Sequence, residues 1–301
     1  MRVLILGGSG LIGQAFVRRL VERGDTVTVL SRNPERVRLP AGAQAAAWDG
    51  RTPQGWVHWL EEADALVNLA GENIGAGRWN AERKARIRQS RVDSGQALVR
   101  ALEQAQKRPG LLLQASAVGY YGVESQEVLT EEAPAGQDYL SSVCVDWEHS
   151  TQAAEALGVR RVLLRTGLVL TATGGALERL LLPFRLFIGG PLGSGQQWWP
   201  WISLRDQVEA MLFLLDHPEA SGPFNLTAPQ PVTMSDFGRT LARVLGRPYW
   251  LPVPGFALRL LLGEMSTLVL DGQRAVPARL LQLGYTFRQP DLSAALHEAL
   301  G

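Results

Sequence analysis

The chain begins M-R-V-L-I-L-G-G-S-G-L-I-G over Met1–Gly13, and this stretch decides the fold. Val3–Leu6 is an apolar run without polar alternation, which predicts a parallel strand buried on both faces. Glycines follow at 7, 8, 10 and 13, and Gln14–Arg23 then carries Ala15, Phe16, Leu20 and Val21 at helical spacing. In a strand–turn–helix of this kind Gly7 permits the tight turn and Gly10 lets a diphosphate approach the backbone. Gly13 lets helix and strand pack closely. Free amides over Ser9–Gly13, Leu11 and Ile12 included, together with the positive end of the helix dipole, are expected to hold the phosphates. The alternative is a structural turn without ligand.

A second strand is predicted at Thr26–Leu30, followed by Ser31-Arg32-Asn33-Pro34. An acidic residue at this strand end would bind a ribose 2′-hydroxyl and repel a 2′-phosphate. None stands here, and Arg32 offers a forked donor with Ser31 adding a hydroxyl, so NADP is expected over NAD. The competing reading of Arg32 is a solvated turn residue. A third strand, Ala43–Ala47, leads to Trp48-Asp49-Gly50, where Asp49 either bonds the adenine or closes a turn. Ala65–Leu69 reads as a fourth strand, and in Leu69-Ala70-Gly71 after it the small residues let a ribose lie on the backbone.

Arg78–Val92 follows, with arginines at 78, 83, 86, 88 and 91 and Lys84. A solvated helix face is the main reading, with Glu82 and Arg86 at i,i+4 spacing. A minor one aims one or two of these arginines at a substrate phosphate. Leu111–Ala115 is the fifth predicted strand and delivers Ser116–Gly122 at its carboxyl end, where ligands sit in open α/β sheets. Val162–Arg165 and Pro223–Thr227 are the sixth and seventh strands. Strands alternating with helical patterns predict an α/β fold, a doubly wound parallel sheet with helices on both faces. Gly189–Trp201 (G-G-P-L-G-S-G-Q-Q-W-W-P-W) is a loop in which Gln196, Gln197 and Trp198 either close over a planar or sugar ligand or help cover a lobe junction. From Val253 on, Leu258–Leu262, Ala278–Leu283 and Asp291–Leu300 predict a small helical lobe. The division expected is 1–227, with 171–205 contributing to the substrate lobe, and 228–301.

Composition narrows the class. The 301 residues carry a net charge of +1, 46% hydrophobic residues and 20% charged ones, ordinary values for a globular chain. Near-neutral charge gives no reason to invoke nucleic acid or an anionic membrane. Cys144 is the one cysteine, which excludes an internal disulfide and a cysteine-rich metal centre. Phe256–Leu270 is the most apolar stretch but is interrupted and too short to span a bilayer. A cytoplasmic protein with a small-molecule substrate, a monomer or a homodimer, is expected. Of the 30 basic residues only Lys84 and Lys107 are lysines.

By Tyr121-Gly122 the sequence resembles the extended short-chain dehydrogenase/reductase superfamily, and more narrowly its atypical epimerase-like branch with a small C-terminal domain. The resemblance rests on Gly7–Gly13, Ser116–Gly122, Cys144–Glu148 and Arg165-Thr166-Gly167. It continues through Gly193–Gln197, Trp201-Ile202 with Asp206, and Asn225–Pro229, so it covers nearly the whole chain. It implies an NADP-binding Rossmann fold and oxidoreductase or nucleoside-diphosphate-sugar epimerase chemistry.

One departure stands out. The superfamily pairs a Ser or Thr after the fifth strand with a Tyr-x-x-x-Lys helix. Here the hydroxyl position falls on Ala117, with Ser116 one residue earlier. The natural tyrosine is Tyr139, but Val143 stands four residues on. Neither lysine lies at helical spacing from a tyrosine, and no arginine sits in that register. Free tyrosine has a pKa of ~10, so about one in a thousand is phenolate at pH 7. Losing that base costs ~4 kcal/mol of barrier, or ~10³ in rate. Ser116 and Tyr139 or Tyr121 remain candidates for hydrogen bonding a reacting oxygen, with Gly119 and Tyr120 beside the substrate. Two functions stay open: an NADP-dependent oxidoreductase or epimerase acting by hydride transfer, and a weakly active or inactive NADP(H)-binding sensor or scaffold.

Overall fold

A computed structural model describes all 301 residues, the side chains of residues 124 and 125 excepted. In chain order the strands are β1 Arg2–Leu6, β2 Thr26–Ser31, β3 Ala43–Ala47, β4 Ala65–Asn68, β5 Leu111–Ala117, β6 Glu124–Leu129 and β7 Arg160–Thr166. They continue as β8 Leu168–Leu170, β9 Trp198–Trp199, β10 Trp201–Ser203, β11 Gly222–Leu226, β12 Val232–Thr233 and β13 Gly272–Ala275. The helices are α1 Leu11–Glu22, α2 Val57–Glu62, α3 Ala81–Gln104, α4 Tyr139–His149, α5 Ala153–Ala156 and α6 Gly175–Arg185. After them come α7 Leu204–Asp216, α8 Met234–Leu245, α9 Gly255–Leu262, α10 Thr267–Leu270, α11 Ala278–Gln282 and α12 Leu292–Leu300.

Seven strands form one parallel sheet in the order β11-β7-β5-β4-β1-β2-β3. All seven overlap the strands read from sequence, β3 residue for residue; the central ones are apolar runs that parallel pairing buries on both sides, while β3 is a partly exposed edge strand. The strand order reverses between β1 and β4, which opens a crevice at their carboxyl ends. One face of the sheet packs on α1 and α7 through Phe16, Val17, Leu20, Val208, Met211 and Leu215. The other packs on α2 and α3 through Trp56, Leu60, Leu98, Ala101 and Leu102.

Helix α3 runs to Gln104, well past the expected Val92. Its first half is charged, but Ala97, Leu98, Ala101 and Leu102 put a buried stripe on the second half. The C-terminal region is not purely helical. β12 pairs with β9 and β13 pairs with β6, so short strands tie it to the segments before it. Its core is shared: Trp199 and Trp201 pack with Phe237, Leu241 and Leu296. Tyr285 and Phe287 reach the main core, where buried Asp206 accepts the Tyr285 hydroxyl and the amides of Arg288 and Gln289. Among the described residues no helix is long and apolar enough to cross a membrane.

Candidate functional site

At the end of β1 the chain turns back on itself. Gly7 has φ of 80°, and a Cβ there would lie 2.6 Å from the Leu69 carbonyl carbon. Only glycine takes this conformation at such an approach. The loop after β4 is thereby drawn against the turn, and it is pinned by Leu69 N–H on the Leu6 carbonyl and Ala70 N–H on Asn68 Oδ1. Gly13 lies equally close, its would-be Cβ 2.5 Å from the Gly7 carbonyl oxygen. Ser9 contributes its carbonyl, which accepts from the side-chain Nε2 of Gln14.

Gly10 caps α1 without a side chain, and the amides of Leu11, Ile12 and Gly13 find no acceptor among the described residues. A Cβ on Gly10 would meet only the Gly7 oxygen, at 3.4 Å, so the space beside Gly10 at the helix start is open. A row of unpaired N–H groups at a helix start facing open space is chemically matched to a diphosphate. At the end of β2 the Ser31 hydroxyl accepts the Asn33 amide, and exposed Arg32 carries no ion pair among the described residues while its stem lies against Gly50. Asp49 takes up the turn role, one of its two readings. Its carboxylate accepts the amides of Arg51 and Thr52 and the Thr52 hydroxyl, so it serves the turn.

On the β5 side the expected hydroxyls diverge. Ser116 is buried, and its Oγ donates to Glu148 Oε1 at 2.6 Å. Glu148 in turn accepts a forked pair from Arg165, Nε to Oε1 at 2.9 Å and Nη2 to Oε2 at 3.0 Å. Tyr121 donates to Asn225 Oδ1 at 2.7 Å and accepts from Arg165 Nη1 at 3.1 Å. Burial pushes its phenol above the ordinary value, with Arg165 opposing. Tyr120 lies flat under the same guanidinium, 3.4 Å from ring centre to Cζ. Ser116 and Tyr121 thus spend their hydroxyls around an internal ion pair on which the Tyr120 ring rests, so neither Ser116 nor Tyr121 has the free hydroxyl that the catalytic reading needs.

Tyr139 opens α4 and points elsewhere. Its hydroxyl donates to the Lys84 carbonyl at 2.9 Å, its ring meets Trp79 edge-on, and Lys84 Nζ lies 4.5 Å from the ring centre. Burial raises its phenol, opposed by the charges of Arg91 and Arg88. Lys84 therefore touches the ring of Tyr139 but ion-pairs with Glu264. One turn on, Leu140 and Cys144 face Gly119, with Cys144 Sγ 3.8 Å from where a Cβ would stand. Burial pushes the Cys144 thiol up to about 12.

In the Gly189–Trp201 loop, Gln197 is buried and donates to the carbonyls of Leu192 and Val269. It holds the loop, which corrects its substrate reading. Trp199 and Trp201 are covered at the lobe junction. Gln196 is exposed, while Trp198 is half-buried under Arg274 and donates to Gln126.

These features carry a lineage. Residues 3–227 match the NAD dependent epimerase/dehydratase family, and residues 253–299 match a domain of unknown function, DUF1731. The chain belongs to the NAD-dependent epimerase/dehydratase family. An epimerase family protein of Staphylococcus haemolyticus is 40% identical over 298 residues, 99% of this chain and 98% of that one. The structure of human epimerase family protein SDR39U1 with NADPH superposes with a TM-score of 0.88 at 34% identity, covering 99% of both chains. A nucleoside-diphosphate sugar epimerase from Corynebacterium glutamicum gives a TM-score of 0.80 at 34% identity, over 99% of this chain and 58% of that one. Thermus thermophilus UDP-glucose 4-epimerase shares the fold, with a TM-score of 0.76 at 19% identity. As a family member the chain has an NAD(P)-type Rossmann site. Arg165, Glu148 and Asn225, all conspicuous in the structure, gave no signal in sequence beyond lying in the stretches of resemblance.

Proposed function

We propose that this epimerase-family chain binds NADP(H) and transfers hydride to or from a small carbonyl or sugar-type substrate. One observation carries the reading: unpaired helix amides at a helix start with open space beside Gly10, and the unpaired Arg32 guanidinium at the neighbouring strand end. Gly7, Gly10, Leu11, Ile12 and Gly13 would hold the diphosphate, Ser31 and Arg32 the 2′-phosphate, and Leu69, Ala70 and Gly71 a ribose. When bound, the nicotinamide supplies or accepts the hydride. The NADPH named for the human relative supports the phosphorylated cofactor.

Of the three hydroxyls considered, Tyr139 suits proton donation best. Its phenol is bonded only to a main-chain carbonyl, and a phenol kept neutral by burial is an acid rather than a base. Glu148 and Arg165 hold the strand ends beneath the substrate. The second reading, a nucleotide-binding protein without turnover, is favoured by the engagement of Ser116 and Tyr121 in that ion pair. Titration calorimetry with NADPH and NADH, followed by exchange of deuterium from 4-deuterated NADPH into a carbonyl and sugar-nucleotide panel, separates the two. Exchange lost in Tyr139→Phe supports the oxidoreductase. NADPH binding with no exchange leaves the second reading, and absence of nucleotide binding removes both.

A further inference from the structure

Arg91 lies on the β4–β5 side of the strand-order reversal, on the face of α3 turned toward α4. Its Cζ is 3.2 Å from where a Cβ of Gly71 would stand, so the guanidinium rests on the backbone of the loop after β4. It also lies over the ring of buried Trp147, at 4.7 Å from the centre. Cys144 and Tyr139 are near enough to act on its charge, and burial pulls it below the ordinary arginine value.

Among the described residues this cation has no carboxylate partner. Glu72, the acid whose charge reaches it, is taken by Arg83 at 3.2 Å and Arg86 at 3.6 Å. Arg91 Nη1 donates to the carbonyls of Glu72 and Ile87, which fixes the orientation of the group. Nε and Nη2 have no partner among the described residues and keep contact with solvent. Those two atoms form one edge of the guanidinium, the edge with which Arg165 grips both oxygens of Glu148 in this same molecule. A largely buried cation offering an open, oriented fork is matched to an oxyanion, whereas a neutral diol would leave its charge uncompensated.

We propose that Arg91 anchors an oxyanion of the substrate, a carboxylate or a phosphate, at the β4–β5 end of the cleft. The assignment rests on the reading of this crevice as the nucleotide and substrate site. It makes the substrate an acidic small molecule and explains why an arginine-rich helix start turns one arginine inward while Arg83, Arg86 and Arg88 take acidic partners.

The test is calorimetric titration of the NADPH complex with oxalate and, separately, inorganic phosphate. Saturable binding is expected in the wild type, with Arg91→Gln weakening it by at least about tenfold and leaving NADPH affinity within about twofold. Tighter oxalate marks a carboxylate substrate, and tighter phosphate a phosphorylated one. Wild-type anion affinity in Arg91→Gln, absence of saturable anion binding to the wild type, or a loss confined to NADPH overturns the proposal. Arg91→Lys keeps the charge without the fork. Should Arg91→Gln fail to melt cooperatively, undiminished anion binding by Arg91→Lys overturns the forked contact. The same titrations on nucleotide-free protein show whether the anion site stands when NADPH binding itself fails.

Discussion

Arg165 on β7 and Glu148 on α4 meet as a forked ion pair, both side chains at most 9% exposed, with the Ser116 hydroxyl on the same carboxylate. The pair ties the ends of β5 and β7 to the helix that bears Tyr139 and Cys144. Burial works against the Arg165 charge, but the bond and charge of Glu148 outweigh it and hold its protonation above the ordinary arginine value.

Removing one member of a buried pair leaves the other uncompensated. Glu148→Ala is therefore expected to cost about 3–5 kcal/mol of unfolding free energy, and Ser116→Ala about 1.5–3 kcal/mol for a bond to a charged group. Urea denaturation measures both. A loss below about 1 kcal/mol for Glu148→Ala would show that water reaches the pair.

Two glycines of the first turn should separate folding from binding. A Cβ at Gly10 clears its one neighbour at 3.4 Å, so Gly10→Ala is expected to fold normally and lose NADPH affinity by about tenfold or more, ~1.4 kcal/mol. Gly13→Ala drives a methyl to 2.5 Å from the Gly7 oxygen and is expected to lose about 1–3 kcal/mol of stability. Thermal melts and calorimetry on both variants check the contrast.

The proposed preference for NADP(H) places Arg32 on the 2′-phosphate. Arg32→Ala is expected to weaken NADPH by about 2 kcal/mol, the scale of a charge-assisted bond, and to leave NADH nearly unchanged. Equal losses for the two nucleotides would remove Arg32 from the 2′-phosphate.

Glu131 supplies a pH signature. Burial raises its carboxyl above the usual value, against bonds from the amides of Asn225 and Arg279. The folded state thus holds this proton more tightly than the unfolded one. Its contribution to stability is full below the unfolded value of ~4.3 and is lost as pH rises through the folded value. Glu131→Gln, which cannot ionise, is expected to gain stability relative to the wild type between pH 4 and pH 7. Urea midpoints across that range measure it, and a constant difference would place Glu131 at its ordinary value.

By itself the sequence determined the seven-stranded parallel sheet, the glycine turn and the absence of a tyrosine–lysine dyad. Each is written in neighbouring residues: an apolar run, glycines at fixed spacing, Val143 four places after Tyr139. Strand β6 stayed hidden because E-S-Q-E-V-L has no apolar pattern and its partner, Gly272–Ala275, lies far along the chain. Only the tertiary structure decided which polar groups pair. Ser116 and Glu148 are 32 residues apart, Tyr121 and Asn225 are 104, and Asp206 reaches Arg288 across 82. The same holds for Arg91. In sequence it is one of several arginines on a charged helix. Burial beside Gly71, with the Glu72 carboxylate already held by Arg83 and Arg86, is what leaves its fork open.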